Sequence, residues 1–258
     1  MKIKFFLINL DDNTDRLDSA KNQLIDEKID FCRVSAFDGR SLDVLSYDSY
    51  ESVKARAYMG RDLVGGEIGC YRSHVGCAEA FLASDADYAV VFEDDLKVTS
   101  DLKTIIEESL QWLSENYKNS WYLINIGNEK LKISKPIRSF GPANNHHTLH
   151  QAFYFPMTTT GLIWNREGAE KFLVESSKIF APVDNFLRYW LTRTGTGLAF
   201  SPPLVRTTGV ESTIDASKIK KTRKSESKVF LHGLVKQRRL ASEKIIAIKH
   251  LFNSLIKR

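Results

Sequence analysis

The chain is poor in the residues that staple small folds or break regular ones. Its 258 residues include three cysteines, Cys32, Cys70 and Cys77, and six prolines. An odd number of thiols without a CxxC pair argues against both a disulfide framework and a structural zinc site. Buried free thiols are the simple reading, and Cys70 and Cys77, seven apart, share a face of any helix that carries them. No apolar run approaches the roughly 20 residues that a membrane-spanning helix needs. The apolar stretch that opens at Ile3 is broken by Asn9, Asp11 and Asp12, too soon for a signal-peptide core, and no small-residue cleavage site follows. These absences lead to the expectation of a cytoplasmic protein with one sizeable core. Hydrophobic residues at 43% and charged residues at 27% are ordinary for a globular chain, and no internal repeat is visible.

Negative charge is scarce at one end only. Thirteen of the 37 Lys/Arg but two of the 32 Asp/Glu fall within 216–258, so that segment carries +11 and the remainder −6. Such asymmetry suggests that the tail faces an anionic surface. The expected organisation is therefore a folded domain over 1–215 and a basic C-terminal helical tail over 216–258. Residues 216–228 read as a Lys/Ser-rich linker. Residues 234–257 read as a helix with Leu240, Ile245, Ile248, Phe252, Leu255 and Ile256 on one side and Arg238, Arg239, Lys249 and Lys257 on the other. A helix of this kind can lie on a membrane surface or pack on protein.

Within 1–215, apolar periodicity switches repeatedly between two and 3.6 residues. Strands are expected at 3–10, 31–36, 88–92, 121–126 and 159–164. Helices are expected from Asp12 or Asn13 (with Leu17, Ala20, Leu24 and Ile25 inward), from Gly65-Gly66 through Ala83, from Ser100 or Asp101, over 166–176 behind an Asn165 cap, and from Pro182 through Trp190. Residues 41–64 read as a loop or short helical insertion, and 127–150 as a long loop or hairpin. The alternation is that of a three-layer α/β sandwich.

One segment carries the strongest chemical signal. Tyr88-Ala89-Val90-Val91-Phe92 is an apolar run that stops at Glu93-Asp94-Asp95. In open α/β sheets ligands gather beyond the carboxyl ends of the strands. Three acids placed there repel one another unless a cation or proton neutralises them. An oxygen-rich site for Mg²⁺ or Mn²⁺ accounts for them, against the plainer alternative of solvated loop acids.

Other stretches join this one in a recognisable order. Phe6-Leu7-Ile8-Asn9-Leu10 with Arg16 resembles an "INLxRxxxR" opening, and Ala36-Phe37-Asp38-Gly39-Arg40 an "AxDG" turn. Gly66-Glu67-Ile68-Gly69-Cys70 followed by Ser73-His74 resembles "GExGCxxSH", and Val91 to Asp95 an "EDD" strand end. Thr160-Gly161 with Gly168-Ala169, and Pro182-Val183-Asp184 as "PxD", complete the series over residues 3 to about 205. Together they resemble glycosyltransferase family 25, which includes bacterial lipooligosaccharide galactosyltransferases and collagen galactosyltransferases. Leu17-Asp18 stand where that family often carries a second arginine, so no phosphate contact is carried over to that position.

The resemblance implies a GT-A-like sandwich with a Rossmann-like nucleotide-binding sheet. It implies inverting, metal-dependent transfer of galactose, or glucose, from a UDP-sugar to a lipooligosaccharide or lipopolysaccharide acceptor. Asp95, with Glu93, is then expected to hold the ion, while one of the trio, Asp94 included, reaches the ribose or a metal-bound water. Asn9 and Asp11 would lie near the base, and Arg16 would pair with uracil or phosphate. Asp38 and Gly39 form the matching turn, and Gly66 and Gly69 allow close approach of a ligand. Ser73 and His74 share a helix with Glu67 and point to a common pocket. Asp184 or Glu67 would be the general base, although Asp184 is equally placed to be a helix cap. His146, His147 and His150 are secondary candidates for a metal ligand. The expected partners are the UDP-sugar, an oligosaccharide acceptor on a lipid, and the anionic inner leaflet through the C-terminal helix. Two other classes stay open. One is a nucleic-acid-binding protein or metal nuclease using the basic tail, which the acidic body argues against. The other is a non-catalytic interaction protein. Acceptor, linkage and oligomeric state are not legible.

Overall fold

In β1 (Ile3–Asn9), Phe5 and Leu7 belong to one buried cluster and Phe6 and Ile8 to another. β3 (Tyr88–Glu93) repeats the pattern, with Val90 and Phe92 on the first side and Ala89 and Val91 on the second. Strands buried on both faces must sit inside a sheet covered by two layers, and the computed structural model, which describes residues 1–99, 101–209 and 230–256, has this arrangement. An eight-stranded sheet runs in the order β2-β1-β3-β8-β5-β9-β7-β6. The further strands are β2 (Cys32–Ser35), β5 (Leu123–Asn125), β6 (Ser134–Phe140), β7 (His147–Ala152), β8 (Gly161–Asn165) and β9 (Gly197–Ser201). A separate pair, β4 (Leu96–Val98) and β10 (Val205–Thr207), is antiparallel.

Helices α1 (Thr14–Asp26) and α4 (Leu102–Asn116) supply the apolar layer on one face, and α3 (Gly65–Leu82), α5 (Arg166–Glu175) and α6 (Val183–Thr194) that on the other. The expected three-layer α/β sandwich is therefore present. β1 pairs in parallel with both β2 and β3, as in a nucleotide-binding half-sheet, but β3 pairs antiparallel with β8, so the whole sheet is mixed. The register aligns Asn9 with Ser35 and Ile8 with Glu93, which brings the carboxyl ends of all three parallel strands to one rim.

Most element assignments agree with the sequence reading. Asn165 caps α5 by accepting the Gly168 N–H at 2.7 Å, and 127–150 is largely the β6–β7 hairpin. Residues 41–64 contain a single 3₁₀ turn and α2 (Ser52–Met59). The strands β4, β9 and β10 lie outside every strand that the sequence pattern leads one to expect. Ile25, expected inward, is 54% exposed, because α1 is seated through Ala20 and Leu24. Ser100 and the linker at 216–228 lie outside the described residues.

The C-terminal helix α7 (His232–Ile256) is docked on one face and exposed on the other. It packs on the body against α2 and α6. Its inward face is not the apolar one: Glu243 and Ala247 are buried, Tyr58 donates to Glu243, and Arg239 lies over the Tyr58 ring at 4.9 Å. His232 and His250 sit at the C-terminal ends of α2 and α6, with Nδ1 3.2 Å from the Gly60 carbonyl and Nε2 3.0 Å from that of Arg193. Arg239, expected on the outer polar side, is thus turned inward. The predicted apolar face, Ile245, Ile248, Phe252, Leu255 and Ile256, remains exposed.

The two glycine motifs meet each other. A Cβ on Gly39 would stand 1.9 Å from the Gly65 carbonyl oxygen, and one on Gly69 2.5 Å from that of Phe37. The close approach that these glycines permit is of the 37–39 turn to the start of α3, a contact of the protein with itself. Gly69→Ala should cost about 1–3 kcal/mol through overpacking, read as a fall in thermal midpoint of several degrees. A midpoint equal to the parent's would remove the contact from the account.

Candidate active site

The rim at the carboxyl ends of β1, β2 and β3 opens into two clefts that share Cys70, Glu93 and Asp95. The first is bounded by the end of β1, Arg16 of α1, the 36–40 turn and the first turns of α3. The second lies across the acids, between the 157–160 segment and the start of α6. Both depend on the turn that joins β3 to β4. Thr208 N–H pins that turn by donating to the Asp95 carbonyl at 2.7 Å, and β10 holds β4 from the far side.

Each of the three carboxylates has a different environment. Three donors converge on Glu93 Oε1: His74 Nε2 at 3.0 Å, Thr159 Oγ1 at 2.7 Å and the Cys70 thiol at 3.7 Å. Burial presses the Glu93 pKa upward, but the hydrogen bond and charge of His74, with the Thr159 and Cys70 bonds, leave it below the ordinary value. Asp94 is bound by Asn9 Nδ2 at 2.8 Å and by Arg16 at 2.6 Å. Burial still leaves its carboxyl raised. Asp95 has the weaker partners, Thr160 Oγ1 at 3.4 Å and Arg16 at 3.8 Å. Burial first, and the Glu93 charge second, push its pKa up to about 6. This is the electrostatic signature of a position that lacks positive charge.

The antiparallel β8 explains why the Thr160-Gly161 stretch belongs to the site. Phe92 pairs with Gly161, so Thr159 and Thr160 arrive beside the acids from the opposite direction. Across the second cleft, Asp184 is in the first turn of α6 and accepts from the N–H and Nδ2 of Asn185 at 2.6 and 2.9 Å. Burial raises its carboxyl. Glu67 lines the same cleft, but Arg61 grips it through both oxygens at 2.9 and 2.6 Å, and it also accepts the Val64 N–H at 3.0 Å.

The other expected residues divide into four groups. Asn9, Arg16, Asp38, Gly39, Gly66 and Ser73 line the first cleft, with Ser73 Oγ bonded to the Phe37 N–H at 2.9 Å. His74 and Gly69 stand behind it, His74 fully buried as the support of Glu93. Asp11 turns outward to Arg33 and Ser35. His146, His147 and His150 line neither cleft, since they belong to the β6–β7 hairpin region. Sequence reasoning missed Arg40, Arg61, Cys70 and Thr159 as parts of the site. Arg40 lines the first cleft while paired with Asp12 at 2.6 Å and Asp38 at 2.7 Å. Cys70, read as an inert thiol, had one available signal: it lies four residues before His74, on the same helix face.

The sequence pattern "Glycosyltransferase family 25 (LPS biosynthesis protein)" matches residues 2–187. The chain is 29% identical over 188 residues to "Procollagen galactosyltransferase 1" of Danio rerio, covering 70% of this chain and 30% of that protein. It is 27% identical over 193 residues to "Procollagen galactosyltransferase 2" of Homo sapiens, covering 71% and 29%. It is also 30% identical over 138 residues to "Inactive glycosyltransferase 25 family member 3" of Homo sapiens, covering 50% and 22%. The chain thus spans about 30% of the length of the first two relatives. Among solved structures it is similar to a "glycosyltransferase involved in the glycosylation of the major capsid of PBCV-1", at 9% identity and a TM-score of 0.43, covering 88% of this chain and 98% of that one.

The raised pKa of Asp95 sets the sign of a pH effect. A carboxyl whose folded pKa lies above its unfolded value of 3.8 favours folding below 3.8 and loses that contribution as pH rises through about 6. At neutral pH the metal-free protein therefore bears a penalty of at most about 3 kcal/mol from this group. Asp95→Asn should raise the metal-free thermal midpoint at pH 7.5 but not at pH 4. Mn²⁺ should raise the parent's midpoint at pH 7.5 and leave the variant's unmoved. A metal-free midpoint that falls on substitution at pH 7.5 would overturn this assignment.

Proposed function

The chain belongs to glycosyltransferase family 25, and from that premise we propose that it transfers galactose, or less favourably glucose, from a UDP carrier to a saccharide hydroxyl of a lipopolysaccharide or lipooligosaccharide. The observation that carries the reading is the meeting of two clefts at Glu93 and Asp95. One cleft is suited to a nucleotide, at the crevice beyond parallel strand ends. The other is suited to an acceptor, with a carboxylate facing the junction.

Asp95, with Glu93 beside it, would hold Mn²⁺ or Mg²⁺. The donor set is oxygen-rich, and Asp95 is crowded by like charge, which fits a hard divalent cation. Such an ion, when bound, supplies Lewis-acid neutralisation of the departing diphosphate. Asp94, fixed by Asn9 and Arg16, stays on the nucleotide side. Arg16 and Arg40 line that cleft, but both are held on carboxylates, Arg16 on Asp94 and Arg40 on Asp12 and Asp38, so a diphosphate would reach either guanidinium only in exchange for those pairs.

Inversion requires a base on the face opposite the leaving group. Asp184 is the base in this reading. It lines the acceptor cleft, and burial raises its proton affinity above that of an ordinary carboxylate. Glu67, the other candidate, has both oxygens engaged by Arg61 and instead holds the entry of α3. The acidic lining of both clefts speaks against the nucleic-acid reading, because a polyanion would meet repulsion there.

α7 supports a further part of the proposal, attachment to the anionic inner leaflet at the cytoplasmic side. Its outward stripe, Ile245, Ile248, Phe252, Leu255 and Ile256, is exposed, and Lys244 and Lys249 are exposed on the same helix. A basic residue near such a surface adds about 1 kcal/mol. Because the opposite face is docked on α2 and α6, the helix would hold the whole domain in one orientation on the lipid. No helix among the described residues is long and apolar enough to cross a membrane.

Two experiments test these readings. A panel of nucleotide sugars with Mn²⁺ should give turnover with UDP-galactose or UDP-glucose. Asp184→Asn should lower kcat by about 10²–10⁴ with little change in the donor KM, and Asp95→Asn should remove the response to Mn²⁺. Parent-like turnover of Asp95→Asn, or no turnover of any nucleotide sugar, would reject the transferase reading. For the surface, Ile248→Ser with Phe252→Ser should reduce sedimentation with phosphatidylglycerol vesicles while leaving the thermal midpoint unchanged. Equal sedimentation of the two proteins would exclude the lipid contact.

A further inference from the structure

Cys70 and His74 are four residues apart on α3 and face the end of β3. The Cys70 sulfur, a His74 ring nitrogen and a Glu93 oxygen all lie within 4.8 Å of one another. Within that triangle, His74 Nε2 is 3.0 Å and Cys70 Sγ 3.7 Å from Glu93 Oε1. A tetrahedral zinc ion, with bonds of about 2.0–2.3 Å, needs ligand atoms roughly 3–4 Å apart. Two of the three edges fall in that range and the third is no longer than 4.8 Å, so the three atoms can close on a common ion by side-chain adjustment. The ligand set is thiolate, imidazole and carboxylate. That set selects zinc over magnesium or manganese, which favour oxygen alone.

We propose that Cys70, His74 and Glu93 form a second metal site, selective for Zn²⁺, whose occupation blocks the junction between the two clefts. It is distinct from the oxygen site around Asp95 in ligand chemistry and shares Glu93 with it. Zinc bound there takes its fourth ligand from the cleft, since Cys70 and Glu93 line both clefts. Binding is an exchange without redox change: the Cys70 sulfur–hydrogen bond breaks, the proton leaves to solvent, and the sulfur electron pair is donated to zinc. Glu93 cannot then serve the sugar-transfer centre, so zinc inhibits; this consequence, unlike the site itself, rests on the transferase reading.

The support behind the site sets its strength. Structural zinc sites brace each ligating imidazole through its other nitrogen. His74 Nδ1 is buried and has no hydrogen-bond partner among the described residues, so none of them supplies that brace. Loss of such a partner weakens metal binding by about 10–100-fold. The site is therefore a reversible, inhibitory one rather than a folding element, and the fold holds together without it.

The test uses the full metal-free chain and Co²⁺ as the optical probe for zinc. The parent should develop a thiolate-to-cobalt charge-transfer band that saturates at one equivalent, is reversed by Zn²⁺, and persists under a large excess of Mg²⁺. Cys32→Ser, at an exposed thiol, should keep the band and Cys70→Ser should lose it. His74→Gln should require at least ten-fold more Co²⁺. No band in the parent, or a band that survives Cys70→Ser, overturns the proposal. In a parallel assay of Mn²⁺-supported UDP-sugar turnover, Zn²⁺ should inhibit the parent, and Cys70→Ser should need at least ten-fold more Zn²⁺ for the same fractional loss. Equal inhibition of both would overturn the blocking role. A band in a protein that turns over no nucleotide sugar would keep the metal site and remove the transferase reading instead.

Discussion

Three consecutive carboxylates at the end of one strand are the constraint around which the rest of the molecule is arranged. Like charges this close cannot all ionise in a half-buried rim without help. The fold supplies unequal help. His74, Thr159 and Cys70 attend Glu93, Asn9 and Arg16 attend Asp94, and Asp95 is left with the weakest partners and a carboxyl pushed up to about 6. The chain invests two glycine motifs, an antiparallel strand and a two-stranded clamp in keeping that inequality. A site that merely needed solvated acids would require none of these supports.

The supports are interlocked. The 37–39 turn can press against α3 only because Gly39, Gly65 and Gly69 lack side chains, and residues of both segments line the first cleft. α3 in turn carries Cys70 and His74 to Glu93. Arg61 bonds Glu67 at the helix entry, which ties down the start of α3 and places a neutralised pair in the second cleft. The same helix therefore contributes to both clefts, and its buried Glu67, Ser73 and His74 each have a hydrogen-bond partner.

The C-terminal helix illustrates how one amphipathic pattern can serve two surfaces. Its docked face is mixed: Glu243, Arg239 and two histidines meet Tyr58 and the ends of α2 and α6, and Ala247 and Leu251 pack with Phe153 and Tyr154. Its apolar stripe looks away from the body. Docking through the other face leaves this apolar stripe uncovered among the described residues.

The sequence by itself determined the layers, the strand that ends in acids, and the order of motifs. These follow from local periodicity and abrupt polarity changes, which any chain segment displays on its own. The family membership was also legible there, through six short motifs in order. Tertiary structure alone decided which acid is left short of positive charge, since that depends on Arg16 and Asn9, which lie over 75 residues away in the chain. It decided that Cys70 faces Glu93 rather than an inert core, that Arg61 occupies Glu67, and that Asp11 turns outward to Arg33. It also decided which face of the last helix is buried, because burial is settled by the shape and hydrogen-bonding groups of the surface it meets and not by the helix's own polarity. Pairings between distant segments have no period to read, and charge balance in a cleft is a sum over neighbours that only folding brings together.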